Sequence, residues 1–227
     1  MAFQIQRCLF FILLWSSFLL NGCVDLAPTK SLYKTNTHLF KAPAQAFVMR
    51  GGLGGIFSTG MNQLQYTLEH QYHIKTESTP WYKAHSLSQQ IIAERQKKPS
   101  KEPIILIGHS LGANEQIKVA KKLQQAHIPV ALLITVDAVA PMHVPDNVAI
   151  AINIYKPGIV PLFSGLQLIA DNPHLTIINN INVATIHHMT VNHFTIDKNA
   201  EIQNLMIRYI LTAIHPVAAN NKRSHGK

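Results

Sequence analysis

The chain has 227 residues, of which 47% are hydrophobic and 14% are charged. A chain this apolar can bury enough surface to offset its ordering entropy, which excludes a disordered protein, and its length predicts one domain with appendages. Its formal charge is +9, but only 7% of its residues are aromatic and it carries no helix-turn-helix, zinc-finger or RNA-binding signature, so we expect no nucleic-acid partner.

The first element is a predicted leader. Residues 8–20 form an apolar run about as long as the hydrophobic part of a signal peptide, and too short to span a membrane. The Leu-Asn-Gly-Cys sequence that ends at Cys23 resembles a bacterial lipobox, with Cys23 as the lipidated residue; an uncleaved anchor is the alternative. We therefore expect a lipoprotein signal peptide over 1–22, a polar tether over 23–41 and a lipid anchor in the bacterial cell envelope. Because Val24 stands where inner-membrane retention uses Asp, the periplasmic side of the outer membrane is favoured.

The body of the chain, residues 42–215, alternates apolar runs with helical patterns, and residues 216–227 form a basic tail that we expect to be disordered. The apolar runs predict strands at 44–49, 73–76, 103–107, 130–136, 148–154 and 175–178. The helical patterns predict helices at 60–71, 83–97 and 111–126, and a last helix that begins at an N-cap, Asp197, and carries Ile202, Leu205, Met206, Tyr209, Ile210 and Ala213 on one face. Residues 156–174 fit no regular pattern and predict a long loop or small cap near the site. Apolar strands that alternate with amphipathic helices predict an α/β fold, with a mainly parallel sheet of about six strands covered by helices on both faces and no large cap domain.

The strongest motif is Gly-His-Ser-Leu-Gly at residues 108–112, between an apolar strand and a helix. So tight a turn forces the serine into a strained backbone conformation and requires glycine two residues before and after it. The first turn of the helix also offers N–H groups to a developing oxyanion. These features predict Ser110 as a nucleophile, with an incidental glycine-rich turn as the alternative.

In this context the motif resembles the α/β-hydrolase superfamily, and the resemblance extends over about residues 44–214. The family keeps its nucleophile, acid and histidine in that chain order. The resemblance implies that Asp137 is the acid. It directly follows the strand 130–136, and its sequence context V-D-A-V-A-P is similar to the context of the acid in pancreatic-type lipases. Asp171, in the loop after the next strand, is the competitor, and Asp146 is expected to be a turn residue.

Three histidines lie between the last strand and the last helix. His193 is the nearest to that helix, in N-H-F-T-I-D, and is the expected base, with His188 and then His187 as alternatives. A metal site on these three would lack a neighbouring carboxylate or cysteine with ligand spacing, so we expect neither a metal nor another cofactor. His109 is expected to be a packing or supporting residue.

The loop after the first strand, residues 50–60, reads R-G-G-L-G-G-I-F-S-T-G. It resembles the glycine-rich oxyanion loop of lipases and esterases, with Arg50 near the place of the usual leading histidine. We expect the oxyanion to be held by the backbone N–H of Leu111 and by that of Leu53 or Gly54. A dinucleotide-binding alternative fails on spacing, because the third glycine of G-x-G-x-x-G would fall at Phe57.

Taken in order, these motifs resemble little-characterised bacterial lipoprotein thioesterase- or esterase-like serine hydrolases. The resemblance implies cleavage of a carboxylic ester or thioester, from a small molecule or a lipid, through an acyl-enzyme intermediate. Two alternatives use the same residues or scaffold: an envelope acyltransferase with the same triad, and a non-catalytic envelope binding protein.

Overall fold

A computed structural model describes residues 44–52, 55, 58–160 and 163–214. The predicted signal peptide, the tether up to residue 41, the basic tail and the residues Cys23, Leu53 and Gly54 lie outside these ranges.

The described chain alternates strands and helices in the predicted way. The strands are β1 (Gln45–Arg50), β2 (Lys75–Pro80), β3 (Ile104–His109), β4 (Val130–Val136), β5 (His143–Val144), β6 (Val148–Tyr155), β7 (Ile169–Ala170) and β8 (Ile177–Asn182). The helices are α1 (Thr59–His70), α2 (Ala84–Lys97), α3 (Leu111–Gln125) and α4 (Ala200–Ile214), with short 3-10 turns at Trp81–Lys83, Val183–Thr185 and Ile196–Lys198.

Six of the strands form one parallel sheet in the order β2-β1-β3-β4-β6-β8. The short strands β5 and β7 form a separate parallel pair, which joins the segment 156–174 to the loop after β4. The predicted six-stranded parallel α/β sheet with helices on both faces is therefore confirmed.

The sheet separates two hydrophobic cores. Helices α1 and α4 pack on one face, and α2 and α3 pack on the other. Successive side chains of a strand point to opposite faces, so in β3 Ile105 and Ile107 enter the first core while Ile104 and Leu106 enter the second. This is why the central strands are apolar at every position rather than at alternate ones.

Some element boundaries differ from the predictions. The strands at the two edges of the sheet, β2 and β8, begin two residues later than expected and are longer. The prediction that Asp197 caps the last helix is wrong: α4 begins at Ala200, and the side chain of Asn199 accepts the N–H groups of Glu201 and Ile202 at 2.9 and 3.1 Å. Asp197 lies one turn earlier, fully buried in the 3-10 turn.

The chain reverses its direction across the sheet between β1 and β3. From β1 it continues through α1 to β2 on one side, whereas from β3 it continues through α3 to β4 on the other. The loops that follow β1 and β3 therefore diverge to opposite faces at the carboxyl ends of these strands, which is where ligands bind in open parallel sheets. Within the described ranges, no helix is both long and apolar enough to span a membrane.

Candidate active site

Ser110 occupies the sharp turn between β3 and α3. Its backbone has φ 59° and ψ −128°, in the left-handed region that costs a non-glycine residue of order 1–3 kcal/mol. The backbone N–H of Ser110 donates to the carbonyl of Val136 at 2.9 Å, and this hydrogen bond stabilises the turn. The strained conformation predicted for the nucleophile is present in the structure.

The two glycines of the motif are required by close packing. A Cβ at Gly108 would lie 2.4 Å from the carbonyl oxygen of Gly112, and a Cβ at Gly112 would lie 2.5 Å from the carbonyl oxygen of Met49 in β1. The start of α3 therefore rests directly on two strand backbones, which brings Ser110 next to the end of β1.

Ser110, His193 and Asp137 are joined by two hydrogen bonds. The Nε2 of His193 lies 2.9 Å from the Oγ of Ser110, and its Nδ1 lies 2.9 Å from the Oδ2 of Asp137. The histidine side chain is 5% exposed and the aspartate side chain is fully buried. Residues that are 83 and 56 positions apart in the sequence are thus in the order and spacing of a Ser-His-Asp triad.

Asp137 is oriented by the end of the neighbouring strand β6. Its second carboxylate oxygen, Oδ1, accepts the backbone N–H of Lys156 at 2.8 Å, and its own N–H donates to the carbonyl of Ile154. Gly165 packs against the same oxygen so tightly that a Cβ there would lie 2.1 Å from it. Both carboxylate oxygens are therefore engaged, one by His193 and one by the backbone.

His193 lies in a turn between Asn192 and Thr195. The ammonium of Lys156 donates to the carbonyl of Val191 just before this turn. The ring of Phe163 lies 5.5 Å from the imidazole centroid and 5.0 Å from the ring of Phe194. Aromatic rings thus cover one side of the imidazole, and Phe163 is itself 40% exposed.

The residues kept as alternatives lie elsewhere. Asp171 is exposed and pairs with His143 at 3.3 Å. His188 is exposed and pairs with Glu201 at 3.4 Å, and His187 is also exposed. Asp146 lies in the turn before β6, as expected. In the described part of the chain, the side-chain hydrogen bond to Ser110 comes from His193 and not from Asp171, His187 or His188.

The predicted oxyanion loop begins beside Ser110. A Cβ at Gly51 would lie 2.9 Å from the Cβ of Ser110, and one at Gly52 would lie 2.9 Å from the Cδ1 of Leu111. Leu111 is the first residue of α3, so its N–H belongs to the positive end of that helix. Leu53 and Gly54 lie outside the described residues and remain predictions.

Burial shifts the pKa of three groups near the site. It lowers the pKa of Arg50 at the end of β1, an effect partly opposed by Tyr82. It lowers the pKa of His109 to about 3, with the nearby His193 as the second cause. It raises the pKa of Asp197 to about 6, partly offset by Lys198. His109 is therefore neutral at any ordinary pH, and an imidazole with so low a pKa is a weak proton acceptor.

Sequence reasoning did not find several residues that contact the site. Ser58 hydrogen-bonds to His109, while Lys156 and Gly165 contact Asp137. The glycine at 165 was the one signal that could have drawn attention to this contact. Among the described residues no group of three His, Cys, Asp or Glu side chains is arranged to hold a metal ion.

The fold and the site together define a serine hydrolase of the α/β-hydrolase superfamily, with a parallel sheet, a strained serine after a central strand, and a histidine and an aspartate within hydrogen-bond distance. The sequence profile of the thioesterase domain matches residues 58–206, a range that includes all three of these side chains. The chain belongs to the thioesterase domain family and is a hydrolase.

Several solved thioesterases resemble this chain in structure. YbtT, a type II thioesterase of the yersiniabactin pathway, superposes with a TM-score of 0.45 at 11% identity, covering 77% of this chain and 95% of YbtT. The RedJ thioesterase of the prodiginine pathway in Streptomyces coelicolor gives 0.42 at 12% identity, covering 74% of this chain and 90% of RedJ. The NocB thioesterase domain of the nocardicin cluster gives 0.46 at 11% identity, covering 74% and 95%. No curated protein matches the chain.

Proposed function

We propose that the protein hydrolyses an acyl thioester or a carboxylic ester through an acyl-enzyme intermediate on Ser110, with His193 as general base and Asp137 as its orienting carboxylate. The observation that carries the proposal is the pair of 2.9 Å contacts that place both nitrogens of one buried imidazole between the serine hydroxyl and the aspartate. Membership of the thioesterase domain family favours the thioester.

The geometry supports the following sequence of proton transfers. His193 Nδ1 donates to Asp137, which leaves Nε2 unprotonated and able to take the proton of Ser110 as its oxygen attacks the acyl carbon. The protonated imidazole then gives that proton to the departing thiolate or alkoxide as the tetrahedral intermediate collapses. Water attacks the acyl-serine in the same way and releases the carboxylic acid.

The oxyanion of each tetrahedral intermediate needs donors on the side of Ser110 opposite the imidazole. We assign the backbone N–H of Leu111, in the first turn of α3, as one of them. The second is proposed to come from Leu53 or Gly54, because the loop that contains them starts at Gly51, against the Cβ of Ser110.

A fluorophosphonate probe and a thioester substrate test the proposal. The wild-type protein is expected to be labelled at Ser110 and to hydrolyse a p-nitrophenyl ester and an acyl-thioester of the same chain length, with free thiol measured directly. Ser110→Ala should lose both activities, by roughly 10⁶-fold in kcat. Ser88→Ala is the control serine variant, since Ser88 lies in α2, where its hydroxyl donates to the carbonyl of His85.

The two alternative residues supply controls for the rest of the triad. Asp137→Asn should lower kcat about 10⁴-fold because the imidazole loses its correct tautomer, whereas Asp171→Asn should leave it unchanged. His193→Asn should abolish turnover and His188→Asn should not. A folded wild-type protein that neither reacts with the probe nor turns over either substrate would contradict the proposal. Transfer of the acyl group to an added alcohol or amine, in preference to water, would identify an acyltransferase instead.

We also propose that the enzyme works at the bacterial cell envelope, held by a lipid on Cys23. The support is the apolar run at 8–20 followed by the lipobox-like sequence that ends at Cys23. Labelled palmitate fed to cells that express the full chain should enter the wild-type protein and not Cys23→Ala. The same label on Cys23→Ala, or its absence from the wild type, would contradict the anchor without affecting the hydrolase proposal.

A further inference from the structure

The side chain of His109 lies beside the triad and forms its hydrogen bonds with Ser58 and the main chain of His193. It is 1% exposed, and its ring centroid lies 5.1 Å from that of His193. Its Nδ1 lies 2.8 Å from the Oγ of Ser58, and its Nε2 lies 2.9 Å from the main-chain carbonyl oxygen of His193. Both ring nitrogens are therefore engaged, one by each of two separate loops.

The directions of these hydrogen bonds follow from the chemistry of the groups. A carbonyl can only accept, so the Nε2 of His109 must carry the hydrogen and donate it to His193. In a neutral imidazole the Nδ1 is then an acceptor, and it takes the hydroxyl hydrogen of Ser58. The Ser58 oxygen in turn accepts the backbone N–H of Gly51 at 2.9 Å.

The imidazole of His109 is neutral at ordinary pH. Burial, with the nearby His193 as a second cause, lowers its pKa to about 3. A charged His109 would have a hydrogen on both nitrogens, and the bond that it accepts from Ser58 would be lost. The chain of bonds therefore keeps one direction throughout: from Gly51 to Ser58, to His109 and to the carbonyl of His193.

The bonds join two parts of the molecule that the sheet topology separates. Gly51 and Ser58 begin and end the loop that follows β1, and His193 belongs to the turn before α4, more than 130 residues later. His109 ends β3, immediately before the nucleophile. These hydrogen bonds thus connect the two ends of the β1 loop, through the end of β3, to the backbone of the triad histidine.

We propose that Ser58 and His109 are positioning residues, which fix the main chain of His193 relative to Gly51 and Ser58, so that the imidazole of His193 keeps its hydrogen bond to the hydroxyl of Ser110. The inference rests on the function proposed above for Ser110 and His193. Neither Ser58 nor His109 touches the reacting atoms; both act through the positions of groups that do.

Ser58→Ala is the mildest test, because it removes one hydroxyl and leaves the fold's hydrophobic cores untouched. We expect kcat to fall about tenfold, the rate effect of one lost hydrogen bond, with KM unchanged. His109→Gln, whose amide can still donate to the His193 carbonyl, should retain more activity than His109→Leu. The combined Ser58→Ala and His109→Leu variant should be no slower than His109→Leu alone, because both changes interrupt the same chain of bonds.

The ring resonances of His193, measured by NMR on isotope-labelled protein, provide a readout that needs no turnover. They should shift in Ser58→Ala and stay at their wild-type positions in the buried-serine control Ser88→Ala. Wild-type kcat in Ser58→Ala, unshifted His193 resonances, or strictly additive effects with His109→Leu would each overturn the positioning role. An inactive wild-type protein would instead contradict the proposed function, and the NMR comparison would still test the contact between the two loops.

Discussion

Gly165 is the residue whose substitution tests the support of Asp137 most directly. It donates its N–H to the carbonyl of Lys156 and lies buried against the Asp137 carboxylate. In Gly165→Ala the new Cβ would meet the Oδ1 of Asp137 at 2.1 Å, the N of Lys156 at 2.9 Å and the Cβ of Tyr155 at 2.9 Å. The carboxylate oxygen is the most easily displaced of these three neighbours, because it ends a side chain, whereas the other two atoms lie at the last residue of β6 and directly after it.

The expected effect follows from the distance. An ordinary contact begins at about 3.4 Å, so the carboxylate and the new methyl must separate by more than 1 Å. A misplacement of about 1 Å in a catalytic group costs roughly 10²-fold in rate, or about 3 kcal/mol of transition-state stabilisation. Complete loss of the aspartate's role, about 10⁴-fold, is the upper limit. We therefore expect kcat to fall about 10²-fold in Gly165→Ala, with KM nearly unchanged.

The assay is thioester hydrolysis, measured at a temperature where thermal unfolding shows each variant to be folded. Gly158→Ala is the matched control, since it lies in the same loop and its nearest new contact is 3.2 Å, to the carbonyl of Phe163. In an Asp137→Asn background, Gly165→Ala should cause little further loss, because the group it displaces has already lost its role. Equal kcat values for Gly165→Ala and Gly158→Ala would refute the reasoning, as would a full 10²-fold loss that persists in the Asp137→Asn background.

Two further predictions concern stability. Burial raises the pKa of Asp197 from 3.8 to about 6, so the folded state holds this proton more tightly than the unfolded chain does. The folded state therefore loses stability as the pH rises from about 4 to 6, by about 3 kcal/mol in total. In urea denaturation Asp197→Asn should lack this loss, and a difference in unfolding free energy between wild type and variant that does not change with pH would contradict the prediction. Gly112→Ala should lower the free energy of unfolding by about 2 kcal/mol or more, because its Cβ would meet the Met49 carbonyl at 2.5 Å. A urea-denaturation midpoint equal to that of Gly158→Ala would contradict this, since it would show that α3 can move away from β1 at little cost.

The central strands were predictable because they are buried on both faces, so their sequences are apolar at nearly every position. β1, β3, β4 and β6 pack between two apolar cores, and their observed bounds fall within two residues of the predicted ones. The edge strands gave weaker signals. β2 reads Lys-Thr-Glu-Ser-Thr-Pro and buries polar groups such as Glu77 and Ser78. Glu77 bonds to Gln90 of α2 and Ser78 bonds to Asn62 of α1, and hydrophobic periodicity does not record such pairs.

The serine motif and the chain order of the family predicted three side chains that the structure brings together. The motif is local, and the positions of Asp137 and His193 follow from which strand and which helix they adjoin, so both are readable from the sequence. The bond between Ser58 and His109 is of another kind, because it joins a loop to a strand 51 residues away and no pattern specifies it. The mistaken cap at Asp197 has a similar cause: Asn199, two residues later, makes the capping bonds, and only the packing of the 3-10 turn shows that Asp197 is buried instead.

The register of β3, β4 and β6 determines how the carboxylate of Asp137 is supported. Asp137 follows β4, whose neighbour β3 ends just before Ser110, so the carboxylate is already adjacent to the nucleophile's strand. In the parallel register Val136 lies beside Ile154, so Asp137 comes level with Tyr155, and the next residue, Lys156, is within reach of the Asp137 side chain. There the chain supplies a backbone N–H to Oδ1 and, nine residues later, a glycine small enough to pack against the same oxygen. Asp171, which follows β7, is exposed and pairs with His143, so the carboxylate that the backbone after β6 supports is that of Asp137.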